Sequence, residues 1–304
     1  MEYALRTENL QKKYRHFRAL SGVNMNVPKG AIYGFVGRNG AGKTTLIRLI
    51  CGLQDPSDGE YTLYGVKSSD KGIHEARRHM GAVVETPSIY PDLTAEGNLK
   101  AQYRMLGLPD YDGIDEILRI IGLADTGKKK AKNFSLGMRQ RLGIGVALCG
   151  NPDFLILDEP INGLDPQGII EIRELILKLN HEKQITVLIS SHILDELARL
   201  ATHYGFIDKG KMIREMSAEE IEAACRKCVR LKVTDVRALA KVLDEKGLEY
   251  KLIEDGLCDI YAEVKLTELT LALVKENCEL ISSEKKDESL ESFFIGLTGG
   301  DENA

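Results

Sequence analysis

The segment Gly37-Arg38-Asn39-Gly40-Ala41-Gly42-Lys43-Thr44 matches G-x-x-x-x-G-K-[ST] at every position, and polyphosphate chemistry explains the residue types. A phosphate group must come within hydrogen-bond reach of several backbone N–H groups. Side chains at Gly37, Gly40 or Gly42 would obstruct that approach. Lys43 supplies a mobile positive charge for the β- and γ-phosphates of a nucleotide, and the Thr44 hydroxyl suits Mg²⁺. Arg38, Asn39, Ala41 and Thr45 complete the binding stretch. A second cluster, Asp158-Glu159-Pro160, follows the apolar run Phe154-Leu155-Ile156-Leu157. Asp158 is suited to hold Mg²⁺, directly or through water, and Glu159 to orient and polarise an attacking water. Alone, this run reads equally well as an ordinary strand ending in a solvated acidic turn. Beside a phosphate loop, the chemical reading is the better one.

Both clusters need rigid elements behind them. Apolar runs at Ala31–Val36, Gly81–Val84, Phe154–Leu157, Ile185–Ile189 and Tyr204–Ile207 read as strands, with helical patterns between several of them. The first two-thirds is therefore expected to be α/β with a largely buried sheet. Thr44–Cys51 places Leu46, Leu49 and Ile50 on one helical face, and Gly52 suits its end. The phosphate loop thus lies between strand and helix, with the helix's positive end facing it. Asp208-Lys209-Gly210-Lys211 reads as a tight turn between two late strands.

After about Met216 the texture changes. Ser217-Ala218-Glu219-Glu220 looks like a helix start. From there we expect strand Val229–Val233, helix Val236–Lys246, strands Tyr250–Ile253 and Asp259–Val264, helix Thr267–Asn277 and strand Glu279–Ser283. The order β-α-β-β-α-β is ferredoxin-like. Residues 1–215 and 216–304 are accordingly expected to form separate domains, with Gly299–Ala304 a loose tail. Cys225-Arg226-Lys227-Cys228 is a single C-x-x-C without a second pair at matching spacing, so two incidental cysteines are preferred over a zinc or redox site.

Further motifs resemble the ABC ATPase cassette over roughly residues 1–215. Asn133-Phe134-Ser135-Leu136-Gly137-Met138-Arg139-Gln140-Arg141 resembles the ABC signature, Asn162-Gly163-Leu164-Asp165 the family's D-loop, and Ser190-Ser191-His192 its switch histidine. Tyr14 sits where the family stacks an aromatic on adenine. The resemblance implies a P-loop NTPase fold: a mixed sheet core with an antiparallel β part and a helical subdomain at about 86–150. It implies ATP and Mg²⁺ as cofactors, Glu159, His192 and Lys43 as catalytic residues, and Thr44, Asp158 and Glu85 near the metal. It further implies a dimer, of this chain or with a related cassette, in which Ser135 and Gly137 complete the partner's site and Asp165 links the two. The plain readings stand beside these. Ser135 is a good helix cap in either case, Asp165 suits a turn, His192 suits an exposed strand end, and Tyr14 suits a core.

Departures from the family pattern narrow the resemblance. Glu85 stands where Gln is usual, and Glu85-Thr86-Pro87-Ser88-Ile89-Tyr90-Pro91 looks like the bacitracin and lantibiotic exporter subgroup. A carboxylate brings a full charge and, when ionised, cannot donate a hydrogen bond. Leu136 and Met138 occupy signature positions where Gly and Gln are usual. The ending Ser289–Phe294, then Leu297–Gly300, also resembles this subgroup, its apolar residues suited to docking a terminal helix on the small domain.

The resemblance implies an ATPase subunit that powers export of an antimicrobial peptide or drug-like compound. It would lie on the cytoplasmic side of the cell membrane beneath separate membrane-spanning permease subunits. Composition agrees: of 304 residues, 43% are hydrophobic and 29% charged, as in a globular protein. No run approaches the roughly 18 apolar residues of a membrane span. A net charge of −5, from 41 Lys and Arg against 46 Asp and Glu, argues against gripping nucleic acid. The six cysteines are scattered and no secretory signal is visible at Met1-Glu2-Tyr3, so reduced thiols are expected. Two alternatives stay open: an ABC ATPase acting on ribosomes or chromosomes, and an ATP-gated regulatory sensor.

Overall fold

The computed structural model describes residues 2–108, 110–225, 228–253, 256–262, 264–286 and 290–298. The chain divides into two units, Met1–Ala218 and Glu219–Ala304. The last strand of the first unit runs on to Ser217.

In the first unit, β1 (Tyr3–Tyr14) and β2 (Phe17–Pro28) form a long hairpin, and β3 (Ile32–Val36) leads into α1 (Lys43–Ile50). Then come β4 (Asp58–Leu63), β5 (Val66–Lys67), α2 (Ile73–Arg78), β6 (Met80–Val83), α3 (Ala95–Leu106), α4 (Ile114–Ile120) and α5 (Leu136–Leu148). The remainder is β7 (Phe154–Asp158), α6 (Pro166–Lys183), β8 (Thr186–Ser191), α7 (Leu194–Leu197), β9 (His203–Asp208) and β10 (Lys211–Ser217). One sheet has the order β2-β1-β4-β5 and is antiparallel; the other has the order β10-β9-β3-β8-β7-β6. In the six-stranded sheet β9, β3, β8, β7 and β6 are parallel, and only the edge strand β10 is antiparallel. All five residues of β3 and of β7 are buried, as strands covered on both faces require.

An apolar core joins the two sheets. It takes Leu5 from β1, Val23 and Met25 from β2, Phe35 from β3, Leu46, Ile47, Leu49 and Ile50 from α1, and Ile156 from β7. Four side chains of α1 are thus fixed between the strands that flank the phosphate loop. At about 1.5–3 kcal/mol per buried aliphatic side chain, this packing holds the loop's helix rigidly in place. Capping sets the ends of the helical segment. The Thr94 hydroxyl accepts from the Gly97 N–H at the start of α3, and Gly107 ends that helix at φ 71°.

In the second unit α8 (Ala218–Ala224) precedes β11 (Cys228–Val233), α9 (Val236–Glu245), β12 (Tyr250–Ile253), β13 (Leu257–Ile260), α10 (Leu266–Lys275), β14 (Leu280–Lys286) and α11 (Leu290–Thr298). The sheet order is β12-β13-β11-β14 and every pairing is antiparallel. Leu231, Val233, Leu239, Leu243, Ile260, Leu269 and Leu273 build its own core. The third strand lies earlier than the expected Asp259–Val264, since Gly256 at φ 79° closes a short hairpin back onto β12. In α11, Leu290 and Phe294 are buried. The expected tail Gly299–Ala304 and the Arg226-Lys227 pair of the C-x-x-C lie outside the described residues. Among the described residues no helix is long and apolar enough to cross a membrane.

Candidate functional site

The parallel strands β3, β8 and β7 are neighbours, so their carboxyl ends deliver three sequence segments to one edge of the sheet. Gly37–Gly42 follows β3, Ser190-Ser191-His192 closes β8, and Asp158-Glu159 closes β7. Such an edge is where ligands bind in open α/β sheets. The loop's glycines are required by space as well as by conformation. A Cβ at Gly37 would lie 2.6 Å from the Ile207 carbonyl oxygen, and Gly42 has φ 109° with the Ala19 carbonyl 2.8 Å from where its Cβ would be.

Lys43 is nearly buried, and its ammonium donates to the carbonyl oxygens of Gly37 at 2.6 Å and Arg38 at 3.4 Å. It also lies 3.2 Å from Glu159 Oε1, while the other carboxylate oxygen, Oε2, is 2.8 Å from His192 Nδ1. One carboxylate thus bridges the loop lysine and the histidine. The Glu159 backbone is left-handed at φ 50°, an uncommon conformation for a non-glycine residue and one associated with functional sites. It is fixed there by its N–H, which reaches Ser190 Oγ at 3.0 Å and the Ser190 carbonyl at 3.1 Å. The Ser190 hydroxyl in turn donates to Asp158 Oδ1, and both residues are buried. Ser190 therefore positions both acidic residues, a role that its sequence position does not signal.

Beside this cluster lies a cavity of about 310 Å³ lined by Phe17, Ala19, Arg38, Asn39, Gly40, Gly42, Lys43, Thr44, Thr45, Glu159 and Asn162. Phe17, 62% exposed, is a lining residue that the sequence reading does not single out. A signal for it is present: an apolar aromatic three positions after Tyr14 in a polar hairpin tip. Tyr14 itself is not on this cavity wall. Its hydroxyl donates to Gln54 Oε1, and the Lys12 ammonium stands 5.2 Å from its ring centroid. Tyr14 is 38% exposed on the hairpin.

The other expected site residues are grouped elsewhere. Ser135 caps α5, its Oγ accepting from the Met138 N–H at 3.2 Å, and Asp165 caps α6, its Oδ1 accepting from the Gly168 N–H at 3.1 Å. Gly137 faces Gly168, whose Cα would be 3.8 Å from a Cβ built there. Ser135 and Asp165 are exposed at two helix starts and Gly137 is buried against Gly168 between them; none of the three lines the cavity beside Lys43. Glu85, also outside that cavity, pairs with Arg48 of α1.

The donor chemistry suits a hard divalent cation. Mg²⁺ binds through one or two carboxylates, waters and substrate phosphates rather than a protein cage. Thr44 and the buried Asp158 supply such a set, and no group of three His, Cys, Asp or Glu side chains forms a cage among the described residues.

Comparison with known proteins places this geometry. The ABC transporter family model matches residues 20–162. The bacitracin transport ATP-binding protein BcrA of Bacillus licheniformis is 40% identical over 99% of both chains. The lantibiotic transport ATP-binding protein SrtF of Streptococcus pyogenes is 43% identical over 69% of this chain and 90% of its own. The dimeric post-hydrolysis structure of the ATP-binding cassette MJ0796, bound to ADP and Pi, superposes with a TM-score of 0.63 at 26% identity. It covers 70% of this chain and 98% of that one. With its phosphate loop, acidic strand end and histidine on one sheet edge, the chain belongs to the ABC transporter family as one of its ATP-binding, ATP-hydrolysing subunits.

Proposed function

We propose that the chain powers export of an antimicrobial peptide or similar amphipathic compound from the cytoplasmic face of the membrane, through separate permease subunits. The names of the bacitracin transport proteins, similar over 99% of this chain, and of the lantibiotic transport protein, similar over 69% of it, support this substrate class. In this reading residues 1–215 form the nucleotide-binding domain, with its helical subdomain at about 86–150. Residues 216–304 form an accessory domain whose strand order favours a ferredoxin-like reading.

The observation that carries the catalytic assignment is the Glu159 carboxylate between Lys43 and His192. The loop amides, Lys43 and Thr45 hold the phosphates of ATP. Thr44 and Asp158, with Glu85, would hold Mg²⁺, which would supply positive charge to the phosphate oxygens. An entering γ-phosphate takes Lys43 from Glu159 and leaves Oε1 able to accept a proton from water, while Oε2 stays oriented by His192. Because phosphoryl transfer depends mainly on positioning and electrostatics, loss of this base lowers turnover much more than binding. Two cassettes close head to tail, so that Ser135 and Gly137 of one meet the nucleotide of the other and Asp165 links the sites. Tyr14 serves the adenine from the hairpin tip.

The test is Glu159→Gln. It is expected to bind ATP, to accumulate the closed dimer and to lose about 10²–10⁴-fold in phosphate release, the usual contribution of a general base. Near-normal turnover would remove Glu159 from the role. Copurification from membranes is expected to return an integral permease; ribosomes or DNA in its place would overturn the transport assignment.

A further inference from the structure

Tyr103 of α3 is a buried side chain whose polar end is left unsatisfied. The residue is only 7% exposed, and its hydroxyl makes no hydrogen bond among the described residues. The ring is held beside that of Tyr111, with centroids 6.2 Å apart, and the hydroxyl lies so close over Gly113 that a Cβ there would collide with it. A buried tyrosine hydroxyl normally finds a partner. Phenylalanine would pack the same ring without taking a hydroxyl out of water. The group that pairs with this hydroxyl therefore comes from outside the chain.

Tyr103 and Gly113 line a cavity of about 330 Å³, which shares no lining residue with the one beside Lys43. That is many times the room one water needs, and it falls at the lower end of small-molecule sites. Its inner wall is apolar and buried: Ile117 of α4, Leu148 at the end of α5 and Leu179 of α6. Charge gathers at the rim, where Glu116, Asp153 and Lys183 are exposed. The single ammonium, Lys183, is already paired with Glu116. Both α5 and α6 end at this cavity, so two negative helix ends face it. Burial pushes the Tyr103 hydroxyl up, and Cys149, Asp110, Glu116 and Asp112 raise it further. It therefore stays a neutral hydroxyl, bordered by carboxylates, and the surrounding field favours a cation.

We propose that this cavity is a binding site for a small primary amine with an apolar body. Its ammonium donates to the Tyr103 hydroxyl and meets the rim carboxylates, while its body packs on Ile117, Leu148 and Leu179. A neutral alcohol of the same shape gains the hydroxyl contact without the field. A carboxylate of similar shape meets like charge at the rim and at both helix ends. The site is separate from the nucleotide site and does not depend on how that site is read.

The experiment titrates the full chain in a calorimeter with phenethylamine, 2-phenylethanol and 3-phenylpropionate, three probes with matching apolar bodies. Phenethylamine is expected to bind with a Kd of about 1 mM or tighter, and the other two about tenfold more weakly or less. Tyr103→Phe is expected to weaken phenethylamine about tenfold, the scale of a hydrogen bond to a charged group. Its melting temperature is expected to stay level or rise, because the hydroxyl has no partner to lose. Ile120→Trp, at a partly exposed wall position, is expected to fill the cavity and abolish phenethylamine binding while ATP binding continues. Crystals soaked in 4-bromophenethylamine are expected to show the bromine anomalous peak inside the cavity. Equal affinity for the three probes, or no binding of phenethylamine, would overturn the proposal. So would full affinity or a lowered melting temperature in Tyr103→Phe, or a bromine peak only elsewhere.

Discussion

Replacing Ser190 by alanine isolates the contact that holds the acidic strand end. The Ser190 side chain is fully buried, and its hydroxyl donates to Asp158 Oδ1, itself on a residue 1% exposed. Alanine removes that donor and adds no volume. The Glu159 N–H is not orphaned, because it keeps the Ser190 carbonyl at 3.1 Å. The loss is therefore dominated by the hydrogen bond to a buried carboxylate, worth about 1.5–3 kcal/mol, with the shared contact of the Glu159 N–H to Ser190 Oγ lost beside it. For a unit of this size about 2 kcal/mol lowers the melting temperature by about 4–8 °C. Urea and thermal unfolding of Ser190→Ala measure the stability term directly. Phosphate release measures how far Asp158 and Glu159 have drifted, and is expected to fall together with stability. A variant within about 0.5 kcal/mol of the unaltered chain, as expected of an ordinary surface change, with undiminished turnover would refute the claim that Ser190 organises the two carboxylates.

Phe17→Ala is expected to weaken ATP binding by about fivefold or more, on the scale of one base–aromatic contact, and to leave tripolyphosphate binding unchanged; an equal loss for both ligands would remove Phe17 from the base side of the cavity. Because the chain contains no tryptophan, Phe17→Trp also gives a single-site emission signal that ATP is expected to change. Burial pushes the thiols of Cys51 and Cys149 up to about 12 and that of Cys258 up to about 11. At pH 8 their thiolate fractions are about 10⁻³ or less, so alkylation of the native chain is expected to spare these three until denaturant is added. Raising the pH toward those values costs stability, since unfolded thiols ionise near 8.5 and the folded ones do not; a melting temperature flat between pH 8 and 10 would contradict that burial.

What is legible in the sequence is local. The phosphate loop announces itself because its residues are consecutive and each is tied to backbone geometry, and β3 and β7 stand out as unbroken apolar runs bounded by polar turns. The Asp208–Lys211 turn is found where Lys209 and Gly210 both have positive φ. The hairpin β1–β2 escapes a sequence reading, because register shifts interrupt the period-two alternation that would reveal it, and polar residues fill its tip. Ser190 and Phe17 escape it for a different reason. Each matters through a partner or cavity wall that is distant in sequence, such as Ser190 with Asp158, and no spacing rule reports such meetings. Ser135, Gly137 and Asp165 show the opposite case: the motifs identify them, while one chain's geometry presents Ser135 and Asp165 only as exposed helix caps and Gly137 only as a buried contact.

The direct measurement is a crystal structure of the Glu159→Gln chain trapped with ATP. The expected result is a pair of chains in which Ser135 Oγ of one lies within about 3 Å, hydrogen-bond reach, of the γ-phosphate held by Lys43 of the other. A nucleotide-loaded structure in which Ser135 stands apart from every bound γ-phosphate would contradict it.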